Sequence, residues 1–376
     1  MPHHEPLTDQ ALNRALLARQ GLLERKRAPI TDVVESIGAI QAQYWPAAPV
    51  SLWSRMHDVS PAALYDALTD GRLVTGHLVT AREYPDYAAV AAQSGTDRWH
   101  RSKADPTPGM ERLRRELADY AASQTRSGAE LSEFAETAVA AALADNPDLI
   151  DAAELHQQRA SSWRAFFRWS GLLRVPADGS WGPKKPAAYS AAPLPQPWSP
   201  QVLATTIRRY LQAFGPASAA DAATWLGWST PPIRQVMEHL GEQLARFTDA
   251  AGRTLYDLPE APRPGPDIAA PVRLLPGFDS TLLAYAAKHR ARILPEPYRG
   301  VIYQAGNLTL LPTFLVDGLV AGTWATTVAR REATLTLRPL QPLTARTRTD
   351  LIGEAERLLH AVQPDATAHH VVVETG

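Results

Sequence analysis

Apolar residues recur every three or four positions in the first part of the chain, which is the spacing of an amphipathic helix. The pattern covers residues 8–22, 31–40 and 60–73. Thr31 precedes the second apolar run as a capping residue, and Pro61 stands in the first turn of the third. Residues 73–87 then read as two short strands around Gly76 and His77. Three helices followed by a hairpin is the order of a winged helix.

The same order recurs twice further along the chain. Helical patterns cover residues 111–124, 131–144 and 149–176, and again residues 200–214, 215–227 and 229–244. The first set leads into a predicted hairpin from Pro176 to Tyr189, and the second leads into short strands within residues 245–258. We therefore predict three tandem winged-helix units, at residues 1–100, 101–195 and 196–262.

A different pattern follows the proline-rich linker at residues 259–271. Short apolar runs alternate there with turn residues, and the predicted strands are Val301–Tyr303, Leu308–Leu311, Phe314–Val316, Leu319–Thr323 and Thr334–Leu337. Repeated short strands are typical of a small barrel or curled sheet, and residues 349–362 have a helical pattern. Residues 263–376 are therefore predicted to form a small C-terminal β-barrel with a helix, which makes the fold class α+β.

Composition limits the class of protein. The chain has 376 residues, of which 45% are hydrophobic, and no cysteine, which excludes disulfides and thiolate metal sites. No window approaches the roughly 18 unbroken apolar residues of a membrane span, and the start MPHHEPLTDQ has no signal-peptide pattern. We therefore expect a cytoplasmic protein. The sequence has no phosphate-loop, dinucleotide-binding, nucleophile-elbow or zinc-protease motif, so neither a cofactor nor a metal is predicted.

Positive charge is concentrated near the C-terminal end of a nearly neutral chain. Net charge is −1, yet residues 271–348 contain ten Lys or Arg against four Asp or Glu. A local basic face can bind phosphates even on a neutral protein, because charges are screened over only about 8 Å at physiological salt. The alternative, a solvated face of scattered arginines, stays open.

Residues 40–46, IQAQYWP, place Gln41 and Gln43 one residue apart. Glutamine does not ionise, and by itself the pair is typical of two solvated loop residues at the end of a helix. Pro46 disfavours a continuing helix, and residues i and i+2 share a side in extended backbone. Both amides are then able to project toward one point, where they can hold and orient one water molecule.

Several stretches together resemble one family, the winged-helix DNA glycosylases of the AlkZ and YcaQ type. They are IQAQYWP, FGPASAADAATWLGW, and LLPGFDSTLLAY followed by LVDGLVAGTW, in the family's order. The resemblance implies three winged helices and a small β-barrel, arranged as a C-shaped clamp around duplex DNA. The family's catalytic signature ends in glutamine in the AlkZ-like branch and in aspartate in the YcaQ-like branch. Gln41-Ala42-Gln43 is similar to the AlkZ-like form.

This resemblance implies a monofunctional glycosylase, without a cofactor, that hydrolyses bulky N7-alkylguanine adducts or interstrand crosslinks in double-stranded DNA. Alkylation gives the base a fixed positive charge, so it leaves as a neutral molecule and no strong acid is required. We assign Gln43 to the attacking water, and Gln41 to the water and the sugar. The family's association with producers of DNA-alkylating natural products implies self-resistance. A clamp of this kind can act as a monomer.

The predicted DNA contacts are Lys288, Arg290, Arg292, Arg330 and Arg331 of the basic region, Lys184 and Lys185 at the second hairpin, His77 at the first wing, and Asn307 at a tip expected to vary with substrate. For each residue of the basic region, an exposed residue without a partner is the alternative, and for His77 the alternative is a plain turn histidine. Two other functions also stay open. A winged-helix regulator would bind one operator and be indifferent to both glutamines, and a drug-sequestering protein would bind free ligand without DNA.

Overall fold

The computed structural model describes residues 6–41, 45–75, 77–101, 108–160, 162–163, 167, 171–182, 187–192, 197–304 and 309–374. The chain separates into two compact units. Unit 1 comprises Met1–Ala67, His77–Val79 and Ala204–Gly376, and unit 2 comprises Leu68–Gly76 and Thr80–Leu203. The division into four domains made from the sequence stays a prediction.

The first elements of the chain are helices interrupted by short strands. They are α1 (Asp9–Arg19), α2 (Ile30–Ile37), β1 (Ile40–Gln41), α3 (Ala47–Arg55), α4 (Pro61–Thr69), β2 (Leu73–Val74) and β3 (His77–Thr80). Thr8 caps α1 by accepting a hydrogen bond from the backbone of Ala11, and α4 begins at Pro61 as predicted. The prediction for residues 31–40 was wrong at both ends: α2 starts at Ile30 and stops at Ile37.

Unit 2 combines helices with a small sheet. Its further elements are α5 (Tyr84–Arg101), α6 (Pro108–Ser123), β4 (Arg126–Ser127), α7 (Gly128–Asp145), α8 (Ala152–Ala160), β5 (Leu172–Pro176) and β6 (Ala187–Ala191). The strands are antiparallel in the order β4-β6-β5. Met110, Leu117, Leu131 and Trp163 are in its buried core. The helices predicted at residues 111–124 and 131–144 are confirmed. The helical prediction for residues 149–176 was wrong at its end, because Leu172–Pro176 form β5, and the hairpin therefore begins earlier than the predicted Pro176.

The third set of helices also follows the predicted order. It consists of α9 (Pro200–Phe214), α10 (Ala219–Leu226) and α11 (Thr230–His239), followed by the antiparallel pair β7 (Ala245–Thr248) and β8 (Thr254–Asp257). Ser218 and Asp221 cap α10 reciprocally: each side chain accepts a hydrogen bond from the backbone N–H of the other. Gly227, with φ +71°, ends the helix in the left-handed conformation that glycine favours.

The C-terminal part of unit 1 is a sheet covered by a helix. Its elements are β9 (Arg273–Leu275), α12 (Ser280–Leu283), α13 (Arg299–Ile302), β10 (Tyr303–Gln304), β11 (Thr309–Leu310), β12 (Thr313–Val316), β13 (Leu319–Ala329), β14 (Glu332–Pro339), α14 (Ala345–Val362) and β15 (Ala368–Val373). Leu351 and Leu358 of α14 pack on Leu335 and Leu337 of β14 in a common buried core.

The predicted barrel is corrected to an open sheet. The described strands pair in the order β15-β14-β13-β12-β9, antiparallel except for the parallel pair β14 and β15, and among these residues no pairing joins β15 to β9. The strand predicted at Val301–Tyr303 is mostly wrong, because Val301 and Ile302 belong to α13. The coarser prediction of an α+β fold is confirmed. No helix among the described residues is long and apolar enough to cross a lipid bilayer.

Candidate active site

Gln41 lies at the end of β1, in extended backbone as predicted. β1 pairs antiparallel with β3, so that Ile40 faces Leu78 and Gln41 faces His77 in the register. Ile40 and Leu78 are buried and anchor the pair, while Gln41 is half-buried. Gln43 lies outside the described residues, so the predicted convergence of the two amides stays a prediction.

The side-chain oxygen of Gln41 is buried, and none of the described residues donates a hydrogen bond to it. A buried acceptor without a partner is uncommon in native proteins and costs about 1–3 kcal/mol relative to a paired one. Such groups are usually completed by an ordered water or by a ligand. The Gln41 oxygen is thus able to accept a hydrogen bond from a water molecule.

A tight turn leads from α2 into Gln41. Gly38 and Ala39 both have left-handed backbone, with φ +70° and +64°. For an alanine this conformation costs about 1–2 kcal/mol, so surrounding contacts must stabilise it. A Cβ atom on Gly38 would lie 2.6 Å from the Cβ of Ala213, which shows how closely α9 packs against the turn. The direction in which β1 leaves α2 is therefore fixed by packing.

The chain is anchored again just after the glutamine motif. Trp45 is 3% exposed, and its ring stacks on that of Tyr65 with centroids 6.5 Å apart. Pro46 follows in a turn and directly precedes the first residue of α3, whereas α2 already ends at Ile37, before the glutamines. Ala47, Ala48 and Leu52 of α3 are buried. Both ends of the motif are consequently held by the core of unit 1.

The basic residues at 288–292 do not share one environment. They lie in a 3₁₀ helix, Ala287–Arg292, in which residues three apart occupy the same face. Lys288 is exposed, whereas Arg290 is partly buried: its Nε donates to the Tyr285 carbonyl at 2.9 Å, and its guanidinium lies 4.8 Å from the centroid of the Tyr303 ring. These two residues remain candidates for phosphate contacts.

The prediction for Arg292 is corrected. Its side chain is buried, with 2% of the residue exposed, and its Nη1 donates to the Pro216 carbonyl at 2.9 Å. The guanidinium also lies 4.2 Å from the centroid of the Tyr285 ring. A side chain held in this way stabilises the fold and is out of reach of a phosphate at the protein surface.

His289, on the buried face of the same 3₁₀ helix, pairs with the capping residue Asp221. Their Nδ1 and Oδ1 atoms lie 2.6 Å apart. Burial would by itself raise the pKa of Asp221, but the hydrogen bond with His289 and the positive charge of Arg292 outweigh it and hold this pKa below the ordinary value of 3.8. The pair joins α10 to the basic 3₁₀ helix, a link that the sequence did not reveal.

Arg330 and Arg331 form the two-residue turn between β13 and β14. Both are exposed, and both have left-handed backbone, with φ +51° and +67°. A two-residue hairpin loop favours a turn in which both residues have left-handed backbone, although Asn and Gly are the usual residues there. Arg331 donates from Nη2 to the Asp365 carbonyl at 3.2 Å, while Arg330 has no hydrogen bond to any described residue. Arg330 is therefore the freer of the two cations.

The side chain of His77 and the residues Lys184, Lys185 and Asn307 lie outside the described part of the chain. Sequence reasoning also assigned no role to Arg55 and Asp279, which form a buried bidentate ion pair with distances of 3.0 and 2.8 Å. The stretch LLPGFDSTLLAY, which contains Asp279, was the signal that pointed to this region.

Comparisons with known proteins agree on one family. A family model described as DNA glycosylase AlkZ-like matches residues 34–361. The chain is 26% identical over 344 residues to an interstrand DNA cross-link repair glycosylase from Streptomyces sahachiroi, which covers 82% of this chain and 85% of that protein. Its fold is similar to the solved structure of Streptomyces sahachiroi DNA glycosylase AlkZ, with a TM-score of 0.76, 22% identity and coverage of 98% of this chain and 100% of that chain.

Proposed function

The chain belongs to the AlkZ-like DNA glycosylases, and on this premise we propose that it hydrolyses the N-glycosidic bond of N7-alkylguanine in duplex DNA. The product is an abasic site. Bulky adducts and interstrand crosslinks are its proposed substrates, in keeping with the printed name of the Streptomyces sahachiroi relative. Its proposed role is base excision repair in a cell that resists its own DNA-alkylating product.

Neutral amides suffice for this reaction because the leaving group is already activated. An N7-alkylated guanine carries a fixed positive charge, so cleavage of the bond from the base nitrogen to C1′ releases a neutral base. The water oxygen then forms the new bond to C1′, and its proton passes to solvent. The enzyme must then position water and favour positive charge on the sugar. Positioning can supply several kcal/mol, up to about 7–11 in the best cases. Amide oxygens directed at the developing cation add an electrostatic contribution.

The observation that supports this role best is the state of Gln41. Its buried amide oxygen has no donor among the described residues, which is the state expected of a group that accepts a hydrogen bond from a water molecule. Gln41 also stands at the first position of Gln41-Ala42-Gln43, which is similar to the glutamine–hydrophobic–glutamine signature of the AlkZ-like branch. We assign Gln43 to the same water.

DNA binding is proposed to use three winged-helix units that hold the duplex as a clamp and leave the lesion in the helix. Most base-excision enzymes turn the base out into a pocket, and a crosslinked or bulky base does not fit such a pocket. Lys288, Arg290, Arg330 and Arg331 are the proposed phosphate contacts of the described residues. His77, Lys184, Lys185 and Asn307 keep the same proposed role. The chain is proposed to act as a monomer without a cofactor.

A cleavage assay tests the proposed reaction. The protein is incubated with a duplex that contains one N7-alkylguanine, and hot alkali then cuts the strand at any abasic site. We expect cleavage by the wild type and a rate lower by about 100-fold or more for Gln43→Ala, which removes a group that orients the water. Gln10→Ala, which alters an exposed glutamine of α1, is the control and should keep full activity.

Two results would contradict the proposal. If the wild type cleaved neither simple nor bulky N7-alkyl substrates but bound one operator sequence tightly, the protein would be a regulator. If Gln43→Ala were folded, as judged by circular dichroism, and cleaved as fast as the wild type, Gln43 would have no role in the chemistry.

A further inference from the structure

Gln20, the residue directly after α1, binds the turn in front of the candidate catalytic strand. It is fully buried, and its side-chain nitrogen donates to the carbonyl of Ile37 and to that of Ala213, both at 3.0 Å. Ile37 is the last residue of α2, directly before Gly38. One amide group therefore joins the end of α2 to α9 at the start of the turn.

Ser280 holds the other side of the same turn. Its hydroxyl donates to the carbonyl of Ala39 at 3.1 Å, and the residue is 3% exposed. Ala39 has the costly left-handed backbone and immediately precedes the strand Ile40–Gln41. The carbonyls on both sides of Gly38 are thus bound by side chains that are distant in the sequence.

Arg55 connects Gln20 to Asp279, the residue directly before Ser280. Its Nε donates to the side-chain oxygen of Gln20 at 3.2 Å, and its terminal nitrogens bind the carboxylate of Asp279 at 3.0 and 2.8 Å. Asp279 directly precedes Ser280, and it accepts a hydrogen bond from the backbone of Thr281 at 3.0 Å. In a buried setting such charge-assisted bonds are strong and directional. The network runs without a break from α1 to α12.

We propose that Gln20 and Ser280 are positioning residues for base excision. They fix the two carbonyls of the turn, and the turn fixes where Gln41 presents its unpaired amide oxygen. Reaction rates are sensitive to such placement, because a displacement of about 1 Å can reduce the rate about 100-fold. This role rests on the proposed function of Gln41.

The chain contains a matched control for Gln20. Asn13 lies on α1, the helix that Gln20 follows, and is 1% exposed. Its side-chain nitrogen likewise donates to two carbonyls, those of Arg292 at 2.7 Å and Gly318 at 2.8 Å. Neither of its acceptors belongs to the turn before Gln41. Gln20→Met and Asn13→Leu therefore remove equivalent buried hydrogen bonds, but only the first removes one from the turn.

The single-turnover rate constant of base excision from an N7-methylguanine duplex distinguishes a loss of positioning from a loss of protein stability. With enzyme in saturating excess, we expect Gln20→Met to lower the rate constant about 10- to 100-fold while the Kd for the duplex stays unchanged. Asn13→Leu should lose a comparable amount of stability and keep the wild-type rate constant. Equal rate constants for the two folded variants would overturn the positioning role.

A second pair of variants tests the positioning role if Gln20→Met does not fold. Ser280→Ala removes the hydroxyl that donates to the Ala39 carbonyl. Ser54→Ala removes a hydroxyl that is also buried and whose single hydrogen lies within reach of the carbonyls of Val50 and Leu274. Ser280→Ala should be slower than Ser54→Ala at the same duplex affinity, and equal rates would overturn the proposal. A wild type that releases no base would instead refute the proposed function itself.

Discussion

Replacing Gly38 with alanine tests how tightly the turn before Gln41 is packed. The backbone at this position has φ +70°, which side-chain-bearing residues seldom adopt. The new Cβ would lie 2.6 Å from the Cβ of Ala213 and 3.2 Å from Cε2 of Phe214, both of which are fully buried. The substitution therefore adds steric overlap to backbone strain.

The expected loss of stability is the sum of these two effects. Left-handed backbone costs a non-glycine residue about 1–2 kcal/mol, and an extra methyl group in a packed core costs about 1–3 kcal/mol. Gly38→Ala should thus lower the free energy of unfolding by about 2–5 kcal/mol. Gly252 is a control of the same conformation, with φ +74° and open space around the position of a Cβ, so Gly252→Ala should show the strain alone.

Urea unfolding followed by circular dichroism measures both variants in the full chain. Ala213→Gly, combined with Gly38→Ala, completes a double-mutant cycle, because it removes the atom that the new methyl group overlaps. We expect Gly38→Ala to be the more damaging variant and the cycle to show a favourable coupling. If Gly38→Ala lost no more stability than Gly252→Ala, the close packing of the turn against α9 would be refuted.

Two further predictions concern buried carboxylates. Glu354 forms ion pairs with Arg25 at 2.6 Å and with Arg273 at 3.8 Å, and burial lowers the pKa of Arg273 to about 10. Glu354→Ala should lower the free energy of unfolding in urea by about 3–5 kcal/mol, whereas Glu356→Ala at an exposed site should lower it little. Equal losses would contradict the stabilising role of these ion pairs. Because folding lowers the pKa of Asp221, the stabilising effect of its carboxylate is complete above pH 3.8 and is lost as the pH falls below that value. Asp221→Asn should therefore make the melting temperature fall less steeply with pH in this acid range. An unchanged dependence of the melting temperature on pH would refute this prediction.

Much of the helical organisation could be predicted because it depends on local signals. Ser218 and Asp221 cap α10, Gly227 ends it, and both signals are visible in the sequence. The shape of the C-terminal sheet could not be predicted in the same way. Alternation along a strand shows which face is buried but not which strand lies beside it, so an open sheet and a barrel have similar patterns.

The candidate site could likewise be predicted from the sequence only in part. The glutamine motif could be found because its spacing and the family resemblance pointed to the same residues. Arg292 was misassigned because a charge count carries no information on burial, and only the 3₁₀ helix places this residue and His289 on the inner face. Gln20 was missed since its partners, Ile37, Ala213 and Arg55, come together only through the tertiary fold.

The central claim is that a side-chain amide holds the water that attacks C1′. A crystal structure bound to a duplex with a cationic azasugar in place of the lesion nucleotide tests it most directly, since the charged ring represents the sugar cation. We predict an ordered water about 2.7–3.2 Å from the side-chain oxygen of Gln41, between it and the azasugar. A Gln41 oxygen that is bonded to protein, or that lies away from the bound sugar with no water between them, would contradict the claim.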